Sequence, residues 1–225
     1  MRDVELWQRM VPLAIGAAVS PLVLLGQLAQ LSGPGGQRLA LRRSLGYLLG
    51  ALAVVLAWTV AAGWIAHRLP PHQLGADPVA AAVQLLLALA LVALALQTLR
   101  RPLAEAAPGP PGRDGATTGL LAPLLQGLGL MAVNVTSLVL FLPAAQLVGR
   151  SAQPWSMRLA AWIALDGITL LPVWLPPLLL LLSGPVGARL LDRFGHWVSR
   201  HRRAIDAAVA AGFALLLAVR GLQDL

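Results

Sequence analysis

Two short polar interruptions stand inside long apolar runs of this sequence. Ser20-Pro21 lies within Val11–Leu31, and Asn134-Val135-Thr136-Ser137 lies within Leu120–Val148. A proline inside a helix removes one backbone N–H, and its ring clashes with the carbonyl four residues back, so polar backbone is exposed at that depth. Asn, Thr and Ser side chains at such a point can bond a substrate or can join neighbouring helices, and both readings fit. The two interruptions occupy corresponding places in the two halves of the chain. Paired breaks of this kind in apolar segments point to the binding site of a secondary transporter. Ser20, Pro21, Asn134, Thr136 and Ser137 are therefore the candidate substrate-binding residues. Gln27 joins them as a residue that suits either lining a path or bonding between helices, as do Gln30, Gln84 and Gln126.

Asp166 is the acid set well inside an apolar run, Leu159–Leu182. At 1.5 Å per residue it sits roughly 10 Å from the start of that run. A carboxylate near the membrane centre costs about 2.5–3.5 kcal/mol on insertion scales, and no basic residue in the runs is an evident counter-charge. It reads as a protonation switch coupling proton movement to export. The rival reading is a neutral acid bonded across a helix interface or lining a wet vestibule. Asp206 opens the last run, where it complements the helix dipole. Pro172 and Pro176, with Pro177, are expected to bend or interrupt the fifth run. Gly46-x-x-x-Gly50 is a small-residue face suited to close helix contact.

Other chemistry is poorly represented. The chain has no Cys, which excludes disulfides, thiol relays and cysteine-ligated metals. His67 and His72 fall in a loop, and His196 and His201 miss the i, i+4 spacing that puts two ligands on one helical face. There is no nucleophile–base–acid set, phosphate loop or metal-ligand spacing, so the expectation is a protein that is not an enzyme and needs no cofactor.

The elements that position these residues follow from composition. Of 225 residues, 58% are hydrophobic and 12% charged, against roughly 25% charged in soluble domains. An integral membrane protein of the all-α class is implied. Six runs reach or approach the roughly 20 residues that a bilayer crossing needs: Val11–Leu31, Ser44–Ala66, Val79–Leu99, Leu120–Val148, Leu159–Leu182 and Ala204–Val219. The proline-rich stretch 100–118 reads as a flexible hydrophilic linker between a first three-helix unit, 1–99, and a second, 119–225. Three being odd, the second unit runs through the membrane inverted relative to the first, a layout common in transporters. The formal charge is +8 and every basic residue is Arg. Arginines concentrate in the loops after runs one, three and five, which places those loops in the cytoplasm and both termini outside. The residues 187–203 pattern as an amphipathic helix lying in the cytoplasmic interface. Membrane lipids rather than nucleic acid are the partners this distribution fits, and the small-residue face permits a homodimer.

The residues also resemble a known family. Gly16-Ala-Ala-Val-Ser20-Pro21, Ser32 through Arg38 and Leu48-Leu49-Gly50 are similar to the opening helix, basic loop and second helix of the glycopeptidolipid- and sulfolipid-addressing proteins (the GAP/Sap family) of the LysE superfamily of small exporters. Leu190-Leu191-Asp192-Arg193, Trp197 and Arg200-His201-Arg202-Arg203-Ala204-Ile205 look like that family's basic segment leading into the last helix. The likeness covers nearly the whole chain except the linker. Where the family shows Asn-Pro-Lys in its fourth helix, this chain reads Asn134-Val135-Thr136, which keeps the Asn and lacks both the proline break and the cation. Asp166 stands where a small or hydroxyl residue is expected. The resemblance implies a bacterial plasma-membrane exporter that moves a lipid or small amphiphile toward the cell envelope. Alternatives are a non-transporting accessory subunit of a larger lipid-export system and an exporter of a small metabolite or metal ion.

Overall fold

The computed structural model describes residues 3–32, 36–68 and 119–223, together with Leu86, Leu89, Val92, Ala93 and Leu96. Every regular element among them is an α-helix, as expected where lipid offers bare backbone no partner. The helices are α1 (Asp3–Ala18), α2 (Pro21–Leu31), α3 (Gly36–Arg68), α4 (Leu121–Ala132), α5 (Val135–Gly149), α6 (Trp155–Thr169) and α7 (Leu171–Gln223). Among the described residues, α3 carries the one stretch, Gly36–Ile65, that is long and apolar enough to cross a membrane as a single rod. Three bent pairs raise the number of crossings to as many as four: α1 with α2 at 56°, α4 with α5 at 69°, and α6 with the start of α7 at 72°. The expected third run and the linker 100–118 lie outside the described residues, apart from the five single positions. The expected sixth run contains the short apolar helical stretch Ala204–Leu215.

Each bend has a local cause. Pro21 opens α2 at its first turn, where a missing N–H costs nothing, and the Ser20 hydroxyl caps the helix by accepting from the Val23 N–H at 3.4 Å. Asn134 caps α5, its Oδ1 accepting from the Ser137 N–H at 3.4 Å. This corrects the expectation that loss of the family's proline also loses the break: an asparagine cap stops one helix and starts the next without it. The third bend falls at Leu170, just before Pro172. The proline ring opposes continuation of α6, because in an unbroken helix it would clash with the carbonyl four residues back, at Ile168. Pro176, expected to break the run as well, lies within α7, which continues through it and through Pro177. A helix in such surroundings tolerates the lost N–H.

A second correction concerns residues 187–203. They do not form a separate helix but run on without interruption into Ala204–Leu215. The departure from helical geometry inside α7 is at Gly184 (φ 51°, ψ −130°), a left-handed conformation that glycine adopts at little cost. Gly184 thus divides α7 into a first arm, Leu171–Gly184, and a second arm, 185–223.

The most extensive helix pairing among the described residues is α3 with α4, and glycines let the two backbones approach. A Cβ on Gly46 would sit 2.8 Å from the Leu120 carbonyl oxygen, and Cβ atoms on Gly50 and Gly127 would collide with the carbonyls of Leu124 and Tyr47. The Gly46/Gly50 face is therefore spent on backbone contact within the chain, as the small-residue spacing predicts. Gly127→Val is expected to destabilise the protein by about 1–3 kcal/mol or more, because backbone cannot yield as a side chain can. Thermal unfolding in detergent micelles measures the effect.

Candidate functional site

The two polar interruptions meet. Asn134 Nδ2 donates to Ser20 Oγ at 2.9 Å and to Ser137 Oγ at 2.6 Å, and Ser137 Oγ donates to the Ala17 carbonyl at 2.6 Å. The helix packing fits this joint: α1 packs along α5 and α2 along α4. Since α1 leads into one break while α5 leads out of the other, the two bent helix pairs pass each other in opposite chain directions and meet at their breaks. Small buried residues line the approach, among them Ala14 and Ala17 on α1 and Ala144 and Ala145 on α5.

Ser20, Asn134 and Ser137 are all buried, with their polar atoms turned on one another and on backbone. Pro21 is buried at the start of α2, whereas Thr136 is half-buried and takes no part in the joint. Gln27 is not brought to the crossing. It points into the α2–α3 contact, where its Nε2 donates to Ser44 Oγ and its Oε1 is buried without a partner among the described residues. Gln30 likewise bonds across helices, its Nε2 donating to Gln126 Oε1 at 2.7 Å. For these glutamines the structure favours the interhelical reading.

Two residues that sequence reasoning passed over support the site. Tyr47, the chain's one tyrosine, is fully buried and its phenol donates to the Val23 carbonyl at 2.9 Å, in the turn that Ser20 caps. Gly26 makes room for it, since a Cβ there would lie 2.6 Å from the Tyr47 oxygen. A lone phenol one residue after the Gly46 face, inside an apolar run, was the available signal. Tyr47→Phe removes one net hydrogen bond of about 0.5–1.5 kcal/mol. Its expected signature is a lowered unfolding temperature in micelles with the helical circular-dichroism spectrum unchanged.

The second is Thr59 on α3, whose Oγ1 donates to Asp166 Oδ1 at 2.7 Å. Asp166 is half-buried on α6, one turn before the third bend, and its backbone carbonyl accepts the Leu170 N–H there at 3.0 Å. Beside it, Trp174 Nε1 donates to the Gly167 carbonyl at 2.9 Å across the same bend. The carboxyl thus links α3 to the third bent helix pair. Thr169, at the bend itself, buries a hydroxyl that has no partner among the described residues.

Two cavities lie away from the crossing. One, of about 580 Å³, is an apolar groove on α3 along Ala53, Ala57, Val60 and Trp64. The other, of about 480 Å³, is lined by His196, Trp197, Ser199, Arg200 and His201 on the second arm of α7.

Compared with known proteins, residues 10–223 match the family model described as Sap, sulfolipid-1-addressing protein. No curated protein and no solved structure matches the chain.

Proposed function

The chain belongs to the Sap, sulfolipid-1-addressing protein, family, and from that premise we propose that it exports a lipid or small amphiphile across the bacterial plasma membrane by alternating access. The observation that carries the reading is the meeting of two bent, oppositely directed helix pairs, joined by the Asn134–Ser20 bond at 2.9 Å. Crossed half-helices leave helix ends and polar groups at depth, where transporters of inverted-repeat design hold their cargo. In the closed conformation those groups satisfy one another; parting the two spans frees the Asn134 amide, both serine hydroxyls and the Ala17 carbonyl to face a headgroup. The inverted pairing of residues 1–99 with 119–225 is part of this proposal, with both termini outside. The contacts that favour it are reciprocal, the leading half of each bent span lying on the trailing half of the other.

In this reading Asp166 couples export to protons. Its Thr59 partner ties the carboxyl to α3, so gain or loss of a proton changes how α6 is held just before the bend at Leu170. The test is flux of a fluorescent long-chain sulfate ester from liposomes holding the purified protein alone. A carrier moves it faster than protein-free liposomes do and responds to an imposed pH gradient. An accessory subunit moves none, and that result rejects the proposal.

A further inference from the structure

The second arm of α7 carries three parallel stripes. Leu191, Gly195 and Val198 form the inner one: Leu191 and Val198 are buried, Leu191 clusters with Leu28 and Leu180, and Gly195 lies against Leu28. Leu190, Phe194, Trp197 and His201 form the next. Leu190, Phe194 and Trp197 are exposed, the Phe194 and Trp197 rings stack at 6.1 Å and 14°, and Trp197 meets the His201 ring at 5.0 Å. Arg189, Arg193, His196 and Arg200 form the third, all exposed. Helical spacing of three or four residues aligns each stripe and sets the aromatic one between the buried and the basic ones. The amphipathic pattern of this segment is thus split: its aliphatic positions pack on the protein, while its aromatic and basic positions remain outward. The cavity of about 480 Å³ opens among them.

The depth of this surface is set by its neighbours. Leu28 is in the last turn of α2, and Leu41, near the start of α3, packs on the same small cluster. The arm therefore flanks the end of a span, and exposed Arg38 and Arg42 lie at that same end. Against these arginines the segment 187–203 sets one acid, Asp192. Among the described residues, Arg189, Arg193 and Arg200 have no ion-pair partner.

We propose that this surface binds the anionic headgroup of a bilayer phospholipid, with Arg193 and Arg200 taking the phosphate and Phe194 and Trp197 seated at the glycerol level. Stacked aromatics suit the boundary between headgroup and chain, and unpaired guanidiniums at that depth suit a phosphate by charge and by their forked donors. The inference does not rest on transport. It assigns a lipid contact to a surface distant from the crossing.

The experiment uses the full chain in neutral maltoside micelles. Binding of dihexanoyl-phosphatidylglycerol, dihexanoyl-phosphatidylcholine and inorganic phosphate is followed by tryptophan fluorescence, with Trp197→Phe identifying the reporter. The glycerol lipid is expected to bind, more weakly as salt rises, and the choline lipid and free phosphate at least about tenfold more weakly. Combining Arg193→Gln with Arg200→Gln is expected to weaken the glycerol lipid about thirtyfold, from the attraction of two arginines at an anionic surface. Combining Arg193→Lys with Arg200→Lys is expected to restore only part of it, the charge without the forked donors. Equal binding of the two lipids, binding of phosphate as tight as that of the lipid, or an unchanged affinity in the glutamine double variant would each overturn the proposal. Liposome flux by the same double variant, read separately, distinguishes this failure from a failure of the export reading.

Discussion

Asn134→Leu is expected to lower the proposed export roughly thirtyfold, the equivalent of two lost net hydrogen bonds of about 1 kcal/mol each, while the protein still inserts and remains helical. Leucine fills similar space but withdraws the amide that donates to Ser20 and Ser137, and it removes the oxygen that caps α5. Ser20 Oγ then keeps the Val23 N–H as its donor and Ser137 keeps Ala17, so the serines are not stranded; what is lost is the amide donor offered to the headgroup when the joint parts. Asn134→Asp separates that donor from the cap. Aspartate caps a helix as well as asparagine does, but a carboxylate cannot donate to a headgroup and repels an anionic one. The expected result is intact helix content for both variants and impaired flux for both, with the aspartate variant unfolding at the higher temperature. Flux in liposomes and thermal unfolding in micelles are the two readouts.

Asp166→Asn is expected to abolish the proposed accumulation driven by a proton gradient and to leave flux down a cargo gradient. The amide has the shape of the acid and can still accept from Thr59 Oγ1, so the tie between α3 and α6 survives. It cannot exchange a proton. Stability should hold or rise slightly, since an ionisable group at this depth costs about 2.5–3.5 kcal/mol on insertion scales when charged. Thr59→Val removes the hydroxyl instead, and the expected outcome is weakened rather than lost coupling. A variant at Asp166 that still accumulates cargo against its gradient would remove the coupling role and leave the crossing untouched.

Much of this arrangement was legible in the residues. Ser20-Pro21 and the Asn134 tetrad stand out because polar side chains and a proline are costly inside apolar runs, and a cost at matching places in two halves suggests a shared role. Gly46 and Gly50 were readable for the same kind of reason, since small residues four apart let backbones touch. The break at Asn134 was half legible. A side-chain cap does there what a proline does at Pro21, and capping depends on a rotamer that composition does not reveal. Tyr47 and Thr59 were missed because one phenol and one hydroxyl in an apolar helix are ordinary until their partners, Val23 and Asp166, are brought beside them. The misplaced break at Pro176 reflects a limit of proline as a signal: Pro172 begins a helix and Pro176 sits inside the same one, and only their distance from the helix start distinguishes them. The fate of 187–203 turned on tertiary packing, since Leu28 claims the aliphatic face that the pattern alone assigns to lipid.

Because the chain has no native cysteine, a single thiol can report on the crossing directly. Thr136→Cys places one two residues beyond the Asn134 cap, at a half-buried position outside the hydrogen-bonded joint. Reaction with a membrane-impermeant maleimide is then followed from each side of sealed proteoliposomes. If the bent spans part to either face in turn, the thiol is labelled from both sides, and bound cargo slows both reactions. Protection from both sides, or labelling from one side alone under every gradient, would contradict a crossing that opens alternately to the two faces of the membrane.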